Sequence, residues 1–315
     1  ADAVYLGLQD FSARKRAKNF TFVDLIQALS VRNTLRKKVY VALNTLIFEE
    51  EFGNLIEILS FLESVKVDAV IIQDYGVYSL IKEFSIALPI HASTQMGTKN
   101  HLHANFLKKL GFKRVVLERQ LTLSEIEAIR RKTDIELEVF VHGAMCFSLS
   151  GSCFFSKAFS DRSGNRGDCV QPCRWCFLSE KKRDFFPFSM KDLEGLSVLP
   201  QLSKAKIESI KIEGRMKGVD YVYPVVSAYR KAIDIIKKGD VTKDLLNEIQ
   251  QQLSNSTLSR PSAKGFFFFP HTSLIDNNET STGILIGKIA SCTKNSFFFK
   301  TSKTVNVGDT LRIDD

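Results

Sequence analysis

Cys146, Cys153, Cys169, Cys173 and Cys176, five of the six cysteines in the chain, fall in one short stretch. Clustered thiolates are the donor set of a tetrahedral zinc or of an iron–sulfur cluster. The only CxxC pair is Cys173-Arg-Trp-Cys176, whereas a zinc ribbon normally supplies two such pairs. Irregular gaps of six, fifteen and three residues suit a loop wrapped around a cluster, and Gly143, Gly151, Gly164 and Gly167 permit the turns it needs. Spacing alone leaves zinc open. Nothing at the N-terminus reads as a signal peptide, so a disulfide framework is not expected and a cytoplasmic location is. No apolar run is long enough to span a membrane. Cys292 stands apart and is expected to be a buried structural residue.

A second group of polar residues sits where strands end. His91 and His142 are candidate proton-transfer groups, because imidazole titrates near neutral pH. Gln95, Arg119, Lys211, Glu213 and Arg215, together with Arg14, suit an anionic small molecule, Arg offering two parallel hydrogen bonds to a carboxylate. Lys211, Glu213 and Arg215 also alternate as an ordinary strand does, so an internal ion pair competes with ligand binding there. Asn44, Gln73, Ser93 and Glu118 occupy similar strand-end positions.

Those residues must be positioned by the elements between them. Seven β-branched runs alternate with helical patterns: Ala3–Gly7, Val39–Thr45, Ala69–Gln73, Pro89–Ser93, Arg114–Glu118, Glu136–Val141 and Ser209–Glu213. Such alternation predicts an α/β fold around a parallel sheet. No glycine-rich phosphate loop follows an early strand, which disfavours an open dinucleotide-binding sheet. The expected fold is an eight-stranded (β/α) TIM-type barrel whose first strand precedes this chain, with its active site at the strands' C-terminal ends. Residues 1–240 are expected to form this barrel, with the cysteine-rich insertion at about 143–183. Residues 241–264 read as a helical linker, and 265–315 as a small antiparallel β domain. The Phe266–Phe269 run is expected to pack between the two parts.

The chain carries a formal charge of +9. Seven Lys and Arg against three Asp and Glu lie between Gly143 and Arg183, so the excess surrounds the cysteines. Arg162, Arg166, Lys181 and Lys182 are therefore candidate phosphate contacts for RNA.

The stretch Glu138-Val-Phe-Val-His-Gly-Ala-Met-Cys146, with Ser150-Gly-Ser-Cys153 and Cys169-x-x-x-Cys173-Arg-Trp, resembles the signature of the collagenase-like peptidase family. Ala1–Gly7, Phe11–Arg14, His91–Gln95 and Lys211–Arg215 resemble further blocks of it. The resemblance spans nearly the whole chain. It implies an iron–sulfur RNA hydroxylase, forming 5-hydroxyuridine at the tRNA wobble position, or acting on a cytidine of ribosomal RNA. Relatives in the same family hydroxylate quinone precursors. It also implies a 4Fe-4S cluster on Cys146, Cys153, Cys169 and Cys173, and prephenate as co-substrate and hydroxyl source. Cys176 departs from the pattern. The competing expectation is peptidase activity. No His-Glu-x-x-His occurs, and Cys146 with His142 is the nearest thiol–imidazole pair in sequence.

Overall fold

All seven expected strands form in the computed structural model, and they lie side by side. The structure describes residues 1–178, 185–256, 260–270, 274–276, 286–293, 296–301, 304–305, 311 and 313. The strands are β1 Ala3–Gly7, β2 Lys38–Leu43, β3 Ala69–Ile72, β4 Ile90–Ala92, β5 Arg114–Val116, β6 Glu136–Gly143, β7 Asp192–Glu194, β8 Ser209–Ile212, β9 Ser262–Ala263, β10 Gly287–Cys292 and β11 Phe297–Thr301. The α-helices are α1 Phe22–Leu35, α2 Phe52–Ser64, α3 Tyr75–Glu83, α4 His101–Lys109, α5 Leu123–Arg130, α6 Phe155–Phe159, α7 Leu199–Lys204, α8 Val219–Lys238 and α9 Lys243–Ser256.

β1 to β6 pair in order, each parallel to the next, and β8 continues the parallel ladder beyond β6. This is the geometry that right-handed βαβ crossovers impose. Among the described residues β1 and β8 share no ladder. Side chains join them instead: Tyr5 Oη donates to the Ile212 carbonyl at 3.4 Å, and Lys211 Nζ lies 4.2 Å from the centre of the Tyr5 ring. The architecture is thus α/β with a mostly parallel sheet. Two short strands were not expected. β7 joins the end of β6 antiparallel, and β9 joins β7.

Helices cover the outer face. Thr21 and Thr122 start α1 and α5 with capping boxes closed by Asp24 and Glu125, satisfying backbone donors that helix starts leave free. Leu55, Ile58, Leu59 and Leu62, spaced three and four apart on α2, are buried against the sheet.

By internal contacts the chain divides into two compact units, Ala1–Thr280 and Ser281–Asp315. Residues beyond 240 remain with the sheet because α9 buries Leu246, Ile249 and Leu253 and packs on α8. β9 pairs with β7, and Phe267 sits in the same core. The phenylalanine run therefore belongs to the first unit, with Phe269 82% exposed. In the second unit β10 and β11 form an antiparallel pair. Cys292 is exposed there rather than buried, on a strand whose described residues are mostly exposed. Of the three strands expected in the β domain, at 283–289, 296–301 and 310–313, residues 283–285, 310 and 312 lie outside the described residues.

Candidate active site

Period-two alternation brings Tyr5, Tyr40, Ala42, Ile71, His91, Arg114, Glu138, Phe140, Lys211 and Glu213 to the inner face of the sheet. At the C-terminal ends of the strands this interior opens into a cavity of ≈ 990 Å³. Its floor and walls include Arg14, Gln95, Arg119, Lys211, Glu213 and Arg215, and its roof includes Cys146, Cys153, Cys169 and Cys173. Two groups far apart in the chain therefore face one space.

The roof is the insertion between β6 and β7, pinned to the loops around the cavity. Lys15 N donates to the Gly167 carbonyl at 3.1 Å, Leu46 N to Asn165 O at 3.2 Å, and Cys153 N to Asn165 Oδ1 at 3.3 Å. Gly151 and Gly167 adopt φ of +76° and +79°. A Cβ at either would stand 2.1 Å from Gln95 O or 2.2 Å from Ser12 O, so only glycine allows so close an approach. Arg174 fixes the far end, donating to Ser189 Oγ and Met145 O, each at 3.0 Å, and to Met190 O.

Burial pushes the Cys173 thiol up to about 11, and negative charge on Cys146, Cys169 and Cys153 adds to the rise. Cys169 is raised chiefly by burial, with Cys146 and Cys153 contributing. The four thiols thus feel one another. Yet among the described residues no three His, Cys, Asp or Glu side chains are spaced to share one metal ion. A mononuclear zinc draws its sulfurs to about 2.3 Å from one centre, whereas each thiolate of a 4Fe-4S cluster binds a different iron and the sulfurs stand further apart. Four thiols facing one space are the donor number of a 4Fe-4S cluster. Cys176 is exposed and does not line the cavity.

Below the roof, Glu213 is the negative centre. Burial alone would raise its carboxyl, but Arg14 and then Arg215 outweigh burial and hold it at about 2. Arg14 Nη2 lies 3.5 Å from Glu213 Oε2, and Tyr5 Oη donates to the same oxygen at 3.2 Å. Arg215 Nη1 donates to Ser12 Oγ at 2.9 Å, while its buried Nε has no hydrogen-bond partner. Arg119 donates to Ala144 O at 3.3 Å and Ser150 Oγ at 3.2 Å, its guanidinium lying over the Phe140 ring. Gln95 accepts from Asn44 Nδ2. Lys211 pairs with Glu138, not Glu213, at 2.8 Å. The expected internal ion pairs thus exist, but across strands rather than along one.

The two histidines are not brought to the cavity. β6 and β8 slip register between Phe140 and His142, two residues of β6 passing one of β8. Such a bulge inverts the facing of everything beyond it. Simple alternation puts His142 beside Phe140 on the inner face; the bulge turns it out toward α8. There its Nδ1 lies 3.3 Å from Tyr229 Oη, and burial lowers it to about 4. The Cys146–His142 pair is therefore not formed. His91 faces inward but deeper, with its ring 4.8 Å from Tyr40, and burial, aided by Arg114, lowers it to about 3. It does not line the cavity.

Both imidazoles stay neutral in the fold, so stability should fall with pH below about 6.5, where the unfolded chain binds protons that the folded chain refuses. For His142 the loss runs from about pH 6.5 to about 4 and reaches about 3 kcal/mol. Urea midpoints measured across that range should flatten in His142→Gln.

The candidate RNA contacts separate. Arg162 is half exposed, 3.7 Å from Asp168. Arg166 is committed elsewhere: it forms a two-pronged pair with Glu51, stacks over Phe48 at 4.5 Å and reaches Leu46 O, so it ties the roof to the loop after β2. Lys181 and Lys182 lie outside the described residues. Tyr5 and Ser12, which complete the Glu213 and Arg215 contacts, carried no signal in the sequence beyond their nearness to Gly7 and Arg14.

A family profile described as Peptidase family U32 matches residues 1–275. The chain is 40% identical over 283 residues to an uncharacterized protease of Methanocaldococcus jannaschii, covering 85% of this chain and 68% of that one. It is 35% identical over 246 residues to tRNA hydroxylation protein P1 of Bacillus subtilis, covering 74% and 58%. It is also 36% identical over 252 residues to the 23S rRNA 5-hydroxycytidine C2501 synthase of Escherichia coli, covering 77% of this chain but 38% of the relative. No helix among the described residues is long and apolar enough to cross a membrane. Its motifs, its cavity and a match over most of its length make this chain a member of peptidase family U32.

Proposed function

We propose that this protein is an RNA hydroxylase that binds a small dicarboxylate beneath an iron–sulfur cluster. The observation that carries the reading is one cavity with four thiols above and surplus cations below. Among the described residues Glu138 neutralises Lys211 and Glu213 neutralises Arg14, while the side chains of Arg119 and Arg215 have no carboxylate at ion-pairing distance. Two guanidinium groups without a directly paired carboxylate suit two carboxylates, and Arg215 Nε keeps a donor for one of them. Relatives named for tRNA and rRNA hydroxylation point to RNA as the second substrate. The finer reading is 5-hydroxyuridine at the tRNA wobble position, with prephenate as the hydroxyl source and a cytidine of ribosomal RNA as the alternative target. The sheet that holds the site is proposed to belong to an eight-stranded TIM-type barrel.

Cys146, Cys153, Cys169 and Cys173 would hold a 4Fe-4S cluster, which when bound supplies redox or Lewis-acid chemistry at the roof. The chain's own residues do the rest. Arg215 and Arg119 bind and orient the carboxylates. Glu213, held ionised by its cations, keeps Arg14 and Tyr5 in place and rejects a third negative group. Tyr5 Oη presents a proton at the cavity floor, retained because burial raises the phenol far above its ordinary value. The pinned roof limits the entry of water.

Nucleosides from cells lacking the protein should lose one hydroxylated pyrimidine when analysed by mass spectrometry; an unchanged profile would overturn the reading. In the purified protein Arg215→Ala should weaken prephenate binding roughly tenfold to a hundredfold by calorimetry, the loss of one charge-assisted contact. Iron content should stay the same.

A further inference from the structure

Three aromatic side chains of the cysteine-bearing insertion face solvent beside the cavity. Phe154 is 72% exposed, Phe159 53% and Trp175 41%. Phe154 and Trp175 line the cavity, and Phe159 meets Trp175 edge-on with ring centres 5.7 Å apart. A single exposed aromatic needs no explanation, but a group of them rimming a candidate active site does.

Charge says what they meet. Among the described residues eight Lys and Arg side chains line the cavity against one lining carboxylate, Glu213; Lys211, Arg16 and Arg260 also meet Glu138, Asp168 and Asp192 behind the lining, which leaves an excess of cations. Arg16 and Lys217 are among the eight, Lys217 resting 4.8 Å from the Tyr221 ring centre and Arg16 half exposed, with its Nε 3.0 Å from Asp168 Oδ1, an acid it shares with Arg162. Aromatic faces set among cations are the platform on which single-stranded nucleic acid binds, bases stacking while the cations follow the phosphates. A base paired within a duplex presents only its edge and cannot enter such a space; one turned out of its strand can. An apolar peptide would use the rings and leave the cations unanswered.

We infer that Phe154 and Trp175 form a stacking platform that receives one unpaired nucleotide, turned out of its strand, at the cavity mouth. The inference rests on the RNA-hydroxylase reading and adds how the substrate is presented. The base lies against these rings, its flanking phosphates meet Arg16 and Lys217, and its edge faces the space between the thiols and Arg215. Selection is for an unpaired base, as in a loop, before it is for sequence.

The chain has a single tryptophan, so its fluorescence reports on Trp175 directly. Titrating the anaerobically purified protein with single-stranded oligouridylate should quench that emission, and a duplex of equal length should bind at least about tenfold more weakly. Phe154→Ala should weaken oligouridylate binding by about tenfold, while Phe154→Tyr, which keeps the ring, should bind as the parent does. Phe154 is exposed, so neither change should alter folding. Phe159→Ala, away from the cysteines, should cost about threefold and guards against an effect through Cys153. Unquenched fluorescence, equal affinity for duplex, or parental affinity in both alanine variants would overturn the inference. So would a gelatin peptide that displaces oligouridylate from the parent at lower concentration than competing RNA does. If oligouridylate binds as expected while cellular nucleosides are unchanged without the protein, the platform stands and the hydroxylase reading falls.

Discussion

Serine in place of Cys146, Cys153, Cys169 or Cys173 should give colourless protein, while Cys176→Ser keeps the brown absorbance and the iron of the parent. The first four thiols line the cavity roof, and the Cys169 and Cys173 thiols respond to their neighbours' charge; Cys176 lies exposed outside it. A thiolate is a far better iron ligand than an alkoxide at neutral pH, so one substitution should lower cluster content at least about tenfold. Iron and labile-sulfide assays after anaerobic purification decide the matter, and they need no activity. Loss of iron in Cys176→Ser with retention in Cys169→Ser would move the ligand set. Stoichiometric zinc with no reconstitution of iron would replace the cluster altogether.

Glu138→Ala should cost about 3 to 5 kcal/mol of folding stability, the scale for a buried charge left without its partner. Glu138 accepts from Lys211 at 2.8 Å, Ser209 at 2.7 Å and Arg114 at 3.1 Å, all on the inner face of the sheet. Burial would raise its carboxyl, but Lys211 and then its hydrogen bonds hold it at about 2, below its ordinary 4.5. Its contribution is therefore complete above about pH 4.5 and is lost as pH falls through about 2. Urea unfolding at neutral pH should show the deficit, and replacing Lys211 by Met in the same chain should recover part of it. An unchanged midpoint would mean that the cations find other partners.

Much of the architecture was legible because each parallel strand carries its own β-branched run and each helix its own apolar stripe. The two missed strands lack that signal. Asp192-Leu-Glu194 and Ser262-Ala263 are short; β6 overruns its parallel neighbours and offers β7 an edge, and β7 in turn offers one to β9. Cysteine spacing likewise made the roof legible, whereas the histidines misled. A one-residue bulge leaves no mark in the alternation of Val139, Phe140, Val141 and His142, yet it decides which side His142 faces. Lys211's choice of Glu138 over Glu213 depends on the registry of β8 against β6, and Arg166 was drawn from the candidate RNA contacts by an acid 115 positions away. Charge counts find a surplus without saying which cations are already spent.

The roof is sewn to the chain at Lys15, Leu46, Gln95 and Glu118, in the loops after four different strands. Its order is therefore not a local property. Whatever the four thiols hold can bind well only when those loops are in register, and so it binds the native chain in preference to the unfolded one. For a cluster held on these thiols, occupancy and global folding would be linked equilibria, with native-state ligation adding RT ln(1 + [L]/Kd) to the unfolding free energy. Its oxidative loss would then be felt first as a protein that melts earlier and is cut by proteases sooner, before any change in the reaction itself is considered.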